Sequence, residues 1–556
     1  MAERFVKDWA NQDYTAMHKE LSDSSASRYS AADLKTAYEE AQEASTATAI
    51  DPGSADGPKT VNGNDVVDVN VGVRTNLFGK VDGKLELPLE GGKVNWDPHL
   101  TFPNLQQGER VGRKLTLPHD RAPILAKNGT ALASGPTDNR SSPLGSDAID
   151  VAGETGSPDA ELKPKVEQQG YPGNQETGVS GLELAFNARL AGHPGGQLLA
   201  VHEGTPLPDV PSSTTGRTLA TAHEAPGIPV HTTIDPQIQE ATVNALGGQS
   251  GGIAVLNART GDVLALAGSA YSSPQPPGST FKIITTTAGL EQHEVKLDQY
   301  FTPVSSINPD PVHGARVIHN NNDEVCGGTF TTAFAKSCNT VFAPLGAKVG
   351  GDALVNTAED YGYNEEPTLY NARATAAVDP GKMSIPTELG TATDVTASAI
   401  GQGQVLATPL GMASAAQTVA MDGKRSPTAI VTDPNLKSTA KAVDVTSPEN
   451  ARVLTGLMRA VVTEGTGVRA ALPNVEVAGK TGTAELGPKP NQPPPQPVAP
   501  GETPPEPKQI VDAWFAAFAP AQKPKIAICV MLIDASGDGG ETAAPIAHDI
   551  MSSIFG

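Results

Sequence analysis

Basic residues are scarce in this chain: Lys plus Arg number 40 against 62 Asp plus Glu, a formal net charge of −22 over 556 residues. That balance lacks the basic footprint of a nucleic-acid binder and predicts no nucleic-acid partner; the acidic excess reads as a solvated surface. Aromatics make up only 4%. No apolar run reaches the roughly 18 residues that a spanning helix needs, and the start, Met1 to Trp9, lacks the basic-then-apolar layout of a signal peptide. The chain as written therefore reads as soluble, which does not make it cytoplasmic, because such a start also fits a chain that lacks its anchor. The 11 histidines form no His-Glu-x-x-His pattern and the cysteines no paired spacing, so neither metal nor cofactor is expected. Asp534 to Glu541 falls short of calcium-loop spacing and reads as a polar turn. With three cysteines there is no disulfide framework. Cys529 sits in the apolar run Lys525 to Ile533, a buried strand. Cys326 and Cys338 are close enough to bridge in an oxidising compartment and would stay reduced in cytosol.

What is present suggests a multidomain α+β and α/β protein of roughly three domains, at about 100 to 200 residues each. Residues 1–50 carry apolar positions at helical spacing, first Phe5, Val6, Trp9, Tyr14, Met17 and Leu21, then Leu34, Ala37, Tyr38 and Ala41, which predicts two amphipathic helices. From Val66 to Leu89 the period becomes two, with turn signals at Asp82-Gly83 and Gly91-Gly92. Helices followed by a meander predict a small α+β unit over residues 1–105 that closes on itself. Residues 106–228 read as a non-catalytic spacer in which Arg121 and Glu183 form an organising ion pair. Residues 229–556 hold a hairpin at 252–267, strands at 514–519 and 525–533, and a C-terminal helix at 545–555, which predicts one sheet assembled from distant segments. The proline-crowded stretch Pro488 to Pro507 reads as an exposed, mobile loop.

Three short motifs in this last part carry chemistry. In Gly278-Ser-Thr-Phe-Lys282, residues three apart share a helix face, so the Lys282 amine falls beside the Ser279 hydroxyl, a poor nucleophile that needs a base. The preceding Pro277-Gly278 turn leaves Ser279 at the first turn of a helix, where free amides favour negative charge. Ser337-Cys-Asn339 offers a hydroxyl to relay a proton and an amide to hold a carbonyl. Lys480-Thr-Gly-Thr483 reads as an edge strand with a cation, hydroxyls and a glycine that allows close approach of a substrate backbone.

Singly each triplet is uninformative, but in this order they are a penicillin-binding signature, and residues 230–556 resemble the transpeptidase domain of class B penicillin-binding proteins. Gly401-Gln-Gly403, Thr408-Pro-Leu-Gly-Met-Ala413 and Lys480-Thr-Gly-Thr-Ala-Glu485 support the likeness. Residues 120–133 and 180–192 resemble the family's pedestal, and residues 92–104 with Phe5 and Trp9 its methicillin-resistance-type cone domain, which is nuclear-transport-factor-like. The resemblance implies a peptidoglycan D,D-transpeptidase acting through a serine acyl-enzyme and blocked by β-lactams. Ser279 would be the nucleophile, Lys282 its base, Ser337 the proton relay, Lys480 the tuning cation and Asn339 a ligand of the donor amide. Thr481, Gly482 and Thr483 would hold substrate, and the amides of Ser279 and Thr483 would form the oxyanion hole. It further implies the extracytoplasmic face of the bacterial membrane, peptidoglycan stem peptides as substrate, and a membrane glycan polymerase and divisome or elongasome proteins as partners. In that compartment Cys326 and Cys338 would bridge, unless Cys338 points into the core as a free thiol. A D,D-carboxypeptidase or serine β-lactamase shares the motifs, and a non-catalytic β-lactam sensor or division scaffold is the reading from another class.

Overall fold

The structure, a computed structural model, describes residues 1–61, 64–118, 120–371, 380–490 and 509–556. Of the expected proline loop, Pro488 to Pro507, Pro488 ends a strand and residues 491–507 lie outside the described residues. The chain gathers into two compact units, one of Met1–Pro123, Ser134–Arg140 and Glu154–Pro229, the other of Ile124–Ala133, Ser141–Gly153 and Val230–Gly556. The spacer sequence thus contributes to both.

In the first unit, helices Ala2–Ala10, Tyr14–Lys19, Asp23–Arg28 and Ala31–Ser45 precede an antiparallel meander of Ala47–Val61, Asn64–Thr75, Lys80–Glu90 and Lys93–Val94. Where the apolar spacing predicts two helices, side-chain caps restart the chain: Asp13 accepts from Ala16 N, Ser22 from Ser25 N, and Ser30 forms a reciprocal box with Asp33. Phe5, Trp9, Tyr38 and Trp96 pack with Val69, Val73 and Leu87 in one core. That core does not end at residue 105. Val111 and Leu198 belong to it, carried by a three-stranded antiparallel sheet of Glu109–Thr116, Gly195–His202 and Arg217–Ala222. Farther along, Arg121 and Glu183 are both buried, with Nε donating to Oε2 at 2.5 Å, while Arg140 Nε reaches the other carboxylate oxygen at 2.7 Å. Asn187 Oδ1 and the Glu183 carbonyl accept from Arg121 Nη1 and Nη2.

The second unit is built on a five-stranded antiparallel sheet in the order Val263–Gly268, Gly251–Asn257, Ile526–Leu532, Gln509–Ala519, Ala478–Pro488. The hairpin predicted around residues 258–261 forms one end, and the last strands of the chain insert beside it. Alternation divides the faces. Ile526, Ile528 and Val530 join Leu246, Ile546 and Ile550 in a core with helices Pro236–Leu246 and Ala544–Phe555. The opposite face, which includes Cys529, is covered by helix Pro409–Ala420. Ala478–Pro488 is the edge strand, and the nucleophile turn packs against it.

Candidate active site

Gly278–Phe281 forms one 3-10 turn that runs into helix Lys282–Glu291, whose residues are almost all buried. Glycines let this turn press onto the edge strand. Gly278 has φ +49°, and a Cβ there would lie 2.4 Å from Thr483 O; a Cβ on Gly482 would lie 2.6 Å from Pro277 O. The open side of Gly482 therefore receives the nucleophile turn, whereas the sequence reading reserves it for a substrate backbone. Ser279 is half-buried at the opening of the helix.

Lys282 is buried, but its amine is engaged away from Ser279: Nζ donates to Ser337 O at 2.7 Å, to Ser337 Oγ at 3.2 Å and to Asn339 Oδ1 at 2.6 Å. The i,i+3 spacing predicts a Ser279 to Lys282 hydrogen bond, and among the described residues Ser279 Oγ makes none. Two carbonyl acceptors take the amine instead, presented by Ser337 in a left-handed conformation at φ +62° and by Asn339 at the start of helix Asn339–Val349. Lys480 Nζ reaches the same hydroxyl, Ser337 Oγ, at 2.8 Å, and also Thr481 O at 3.0 Å. Asn339 Nδ2 donates to His319 O at 2.9 Å.

The two lysines are both fully buried, and neither has a carboxylate partner among the described residues. Burial pushes the Lys282 amine well below the ordinary lysine range, and the Lys480 charge pushes it further; burial alone takes Lys480 to about 7. Phe342 lies under Lys282 and Phe334 under Lys480, at 5.3 and 5.7 Å from the ring centres. Near neutral pH such a pair holds fewer protons than two free amines would, and Ser337 Oγ is the atom they share.

Ser279, Ser337, Asn339, Thr481 and Thr483 line one cleft of about 420 Å³; Lys282, Lys480 and Gly482 lie behind its wall. Thr481 and Thr483 alternate with Lys480 and Gly482 along the strand and so face the cleft together. Sequence reasoning leaves out Thr466, whose hydroxyl is 2.5 Å from that of Thr481, and the cleft-lining Gln402, His319 and Asp538. Gln402 lies inside the Gly401-Gln-Gly403 stretch that the sequence reading does mark. Cys326 and Cys338 are joined in the structure, with Cα atoms 5.5 Å apart, and Cys529 is free and buried. The described residues contain no cluster of metal-ligating side chains and no helix long and apolar enough to cross a membrane.

Residues 251–552 match the penicillin binding protein transpeptidase domain, residues 119–221 the penicillin-binding protein dimerisation domain, and residues 1–109 the NTF2-like N-terminal transpeptidase domain. The chain is 31% identical over 404 residues to the peptidoglycan D,D-transpeptidase PbpA of Mycolicibacterium smegmatis, covering 61% of this chain and 76% of that protein. The crystal structure of PBPA from Mycobacterium tuberculosis superposes with a TM-score of 0.57 at 26% identity, over 78% of this chain and 99% of that one. A penicillin G acyl-enzyme complex of the same protein gives 0.56 at 25% identity, over 79% and 100%. With more than half of its length inside the transpeptidase model, the chain belongs to the penicillin-binding protein transpeptidases.

Proposed function

We propose that the chain is a peptidoglycan D,D-transpeptidase in which Ser279 attacks the carbonyl of a D-alanyl-D-alanine stem-peptide end. D-alanine leaves, and an amine of a neighbouring strand resolves the acyl-enzyme; β-lactams acylate the same serine. One observation carries this reading: a serine opening a helix faces a cleft behind which two buried lysines, without a carboxylate partner among the described residues, meet on one hydroxyl. Lys282 in its neutral form donates two N–H groups to Ser337 O and Asn339 Oδ1, and its lone pair takes the Ser279 proton once the amine gives up its 3.2 Å contact with Ser337 Oγ. A hydrogen bond from Ser279 Oγ to Lys282 Nζ forms as substrate fills the cleft. Lys480 donates to Ser337 Oγ, so the Ser337 proton is free to move toward the leaving amine. Thr481 and Thr483 hold the terminal carboxylate, and Asn339 the donor amide. The amides of Ser279 and Thr483 stabilise the oxyanion, each donor contributing about 2.7–4 kcal/mol.

Residues 1–105, 106–228 and 229–556 serve as cone, pedestal and catalytic part, a division supported by the separate family matches. The chemistry belongs on the extracytoplasmic face of the membrane, beside a glycan polymerase and the elongation or division machinery. Ser279→Ala should abolish covalent penicillin labelling while the protein stays folded. Mass spectrometry checks this, and an antibiotic adduct on the variant would remove Ser279 from its role.

A further inference from the structure

Resting on the transpeptidase reading, we propose that the cleft wall of residues 317–324 is the acceptor subsite, and that His319, oriented by Asp323, takes the proton from the incoming ammonium group. An aliphatic amine has an ordinary pKa of about 10.4, so at neutral pH it is not a nucleophile until a base removes a proton. By microscopic reversibility the attacking amine arrives where the first amine departed, beside the group that handles its proton. Ser337 is that group. The wall next to it is tied to the Ser337 turn twice, with Asn339 Nδ2 donating to His319 O at 2.9 Å and Thr340 N to Asn320 Oδ1 at 3.1 Å, and just beyond it Cys326 is joined to Cys338. Its residues Val317, Ile318, His319 and Glu324 line the cleft together with Ser279 and Ser337.

The His319 ring is 59% exposed, and its Nδ1 lies 2.6 Å from Asp323 Oδ1. A carboxylate only accepts, so Nδ1 carries a hydrogen, and in the neutral ring Nε2 then presents a lone pair. Among the described residues Nε2 has no hydrogen-bond partner. Asn322 and Asp323 both adopt left-handed backbone, φ +52° and +53°, a costly pair for non-glycine residues that returns the carboxylate to a ring four positions earlier. Glu324 and Lys336 on this side, with Glu485 and Asp538 elsewhere in the lining, are the other charged side chains of the cleft. A second pair, His313 with Asp310 at 2.8 Å, lies outside the cleft lining and gives an internal control.

In the step, the ammonium gives one proton to His319 Nε2, and the freed lone pair forms the C–N bond at the acyl carbonyl. The bond from that carbon to Ser279 Oγ breaks. The nitrogen's second proton passes through Ser337 and Lys282 to Ser279 Oγ, and the exposed imidazolium returns its proton to water.

The test uses the full chain, a D-alanyl-D-alanine donor peptide and an amine acceptor, and measures the ratio of transfer to hydrolysis beside the rate of penicillin acylation. His319→Gln should lower the ratio on the order of 10²-fold at neutral pH, with recovery at alkaline pH where free amine is plentiful. Asp323→Asn should give a smaller loss, and His313→Gln none. An unchanged ratio, a loss that alkaline pH does not recover, or an equal fall in acylation would overturn the assignment. Failure of the unmodified protein to acylate would instead sink the transpeptidase reading itself.

Discussion

Both units of the molecule bury long cationic side chains, and they treat them in opposite ways. In the first unit, Arg121 and Arg140 share Glu183, and each guanidinium nitrogen of Arg121 donates to an acceptor. In the second, Lys282 and Lys480 are equally buried and converge on a neutral hydroxyl, with no carboxylate partner among the described residues. Guanidinium stays charged when buried, so it must be paired; an amine can lose its proton, so it can be left unpaired and put to work. The difference separates charge that organises a fold from charge poised for proton transfer.

The sharpest way to break this comparison is to remove one member of each set. Lys282→Met should lower penicillin acylation by about 10²–10⁴-fold, the usual worth of a positioned base. Its melting temperature should move little, because losing three hydrogen bonds is offset by relief from a buried, unpaired amine. Acylation kinetics with a thermal melt on the same sample check both halves. Glu183→Gln should do the reverse, costing about 3–5 kcal/mol because two buried guanidinium groups lose their counter-charge, while folded molecules acylate at the unmodified rate. Denaturant unfolding gives the first quantity. A Glu183 variant that is stable but slow, or a Lys282 variant that unfolds, would erase the distinction.

Much of the second unit is legible in the sequence because its strands are long and apolar. The hairpin around residues 258–261 and the run at 526–532 stand out without any partner in view. The three motifs are legible through their order, and the structure brings Ser279, Ser337, Asn339, Thr481 and Thr483 to one cleft. What periodicity cannot carry is where an amine's hydrogens go. The spacing puts Lys282 beside Ser279, yet Ser337 O and Asn339 Oδ1, more than fifty residues away, decide its contacts. Helices Tyr14–Lys19 and Asp23–Arg28 are too short for the apolar pattern to separate, and only their caps reveal them. Val111 and Leu198 complete a core that the meander alone would close, because sheet packing between distant strands leaves no local signal.

The unpaired lysines also set a pH dependence whose sign is fixed. Burial holds Lys480 at about 7 and Lys282 below the ordinary range, so as pH rises through that region the pair releases protons and neutral amine becomes available to Ser279. The same depression means the unfolded chain binds more protons than the folded one between about 7 and the ordinary lysine value, so stability also increases with pH across that window. The most direct measurement is the second-order rate constant for penicillin acylation as a function of pH, with stability followed in parallel. The account predicts a limb that rises with pH near 7 in the unmodified protein and is displaced or lost in Lys480→Arg, whose guanidinium cannot deprotonate. A rate that stays flat from acidic to alkaline pH, with the unmodified protein folded throughout, would contradict it.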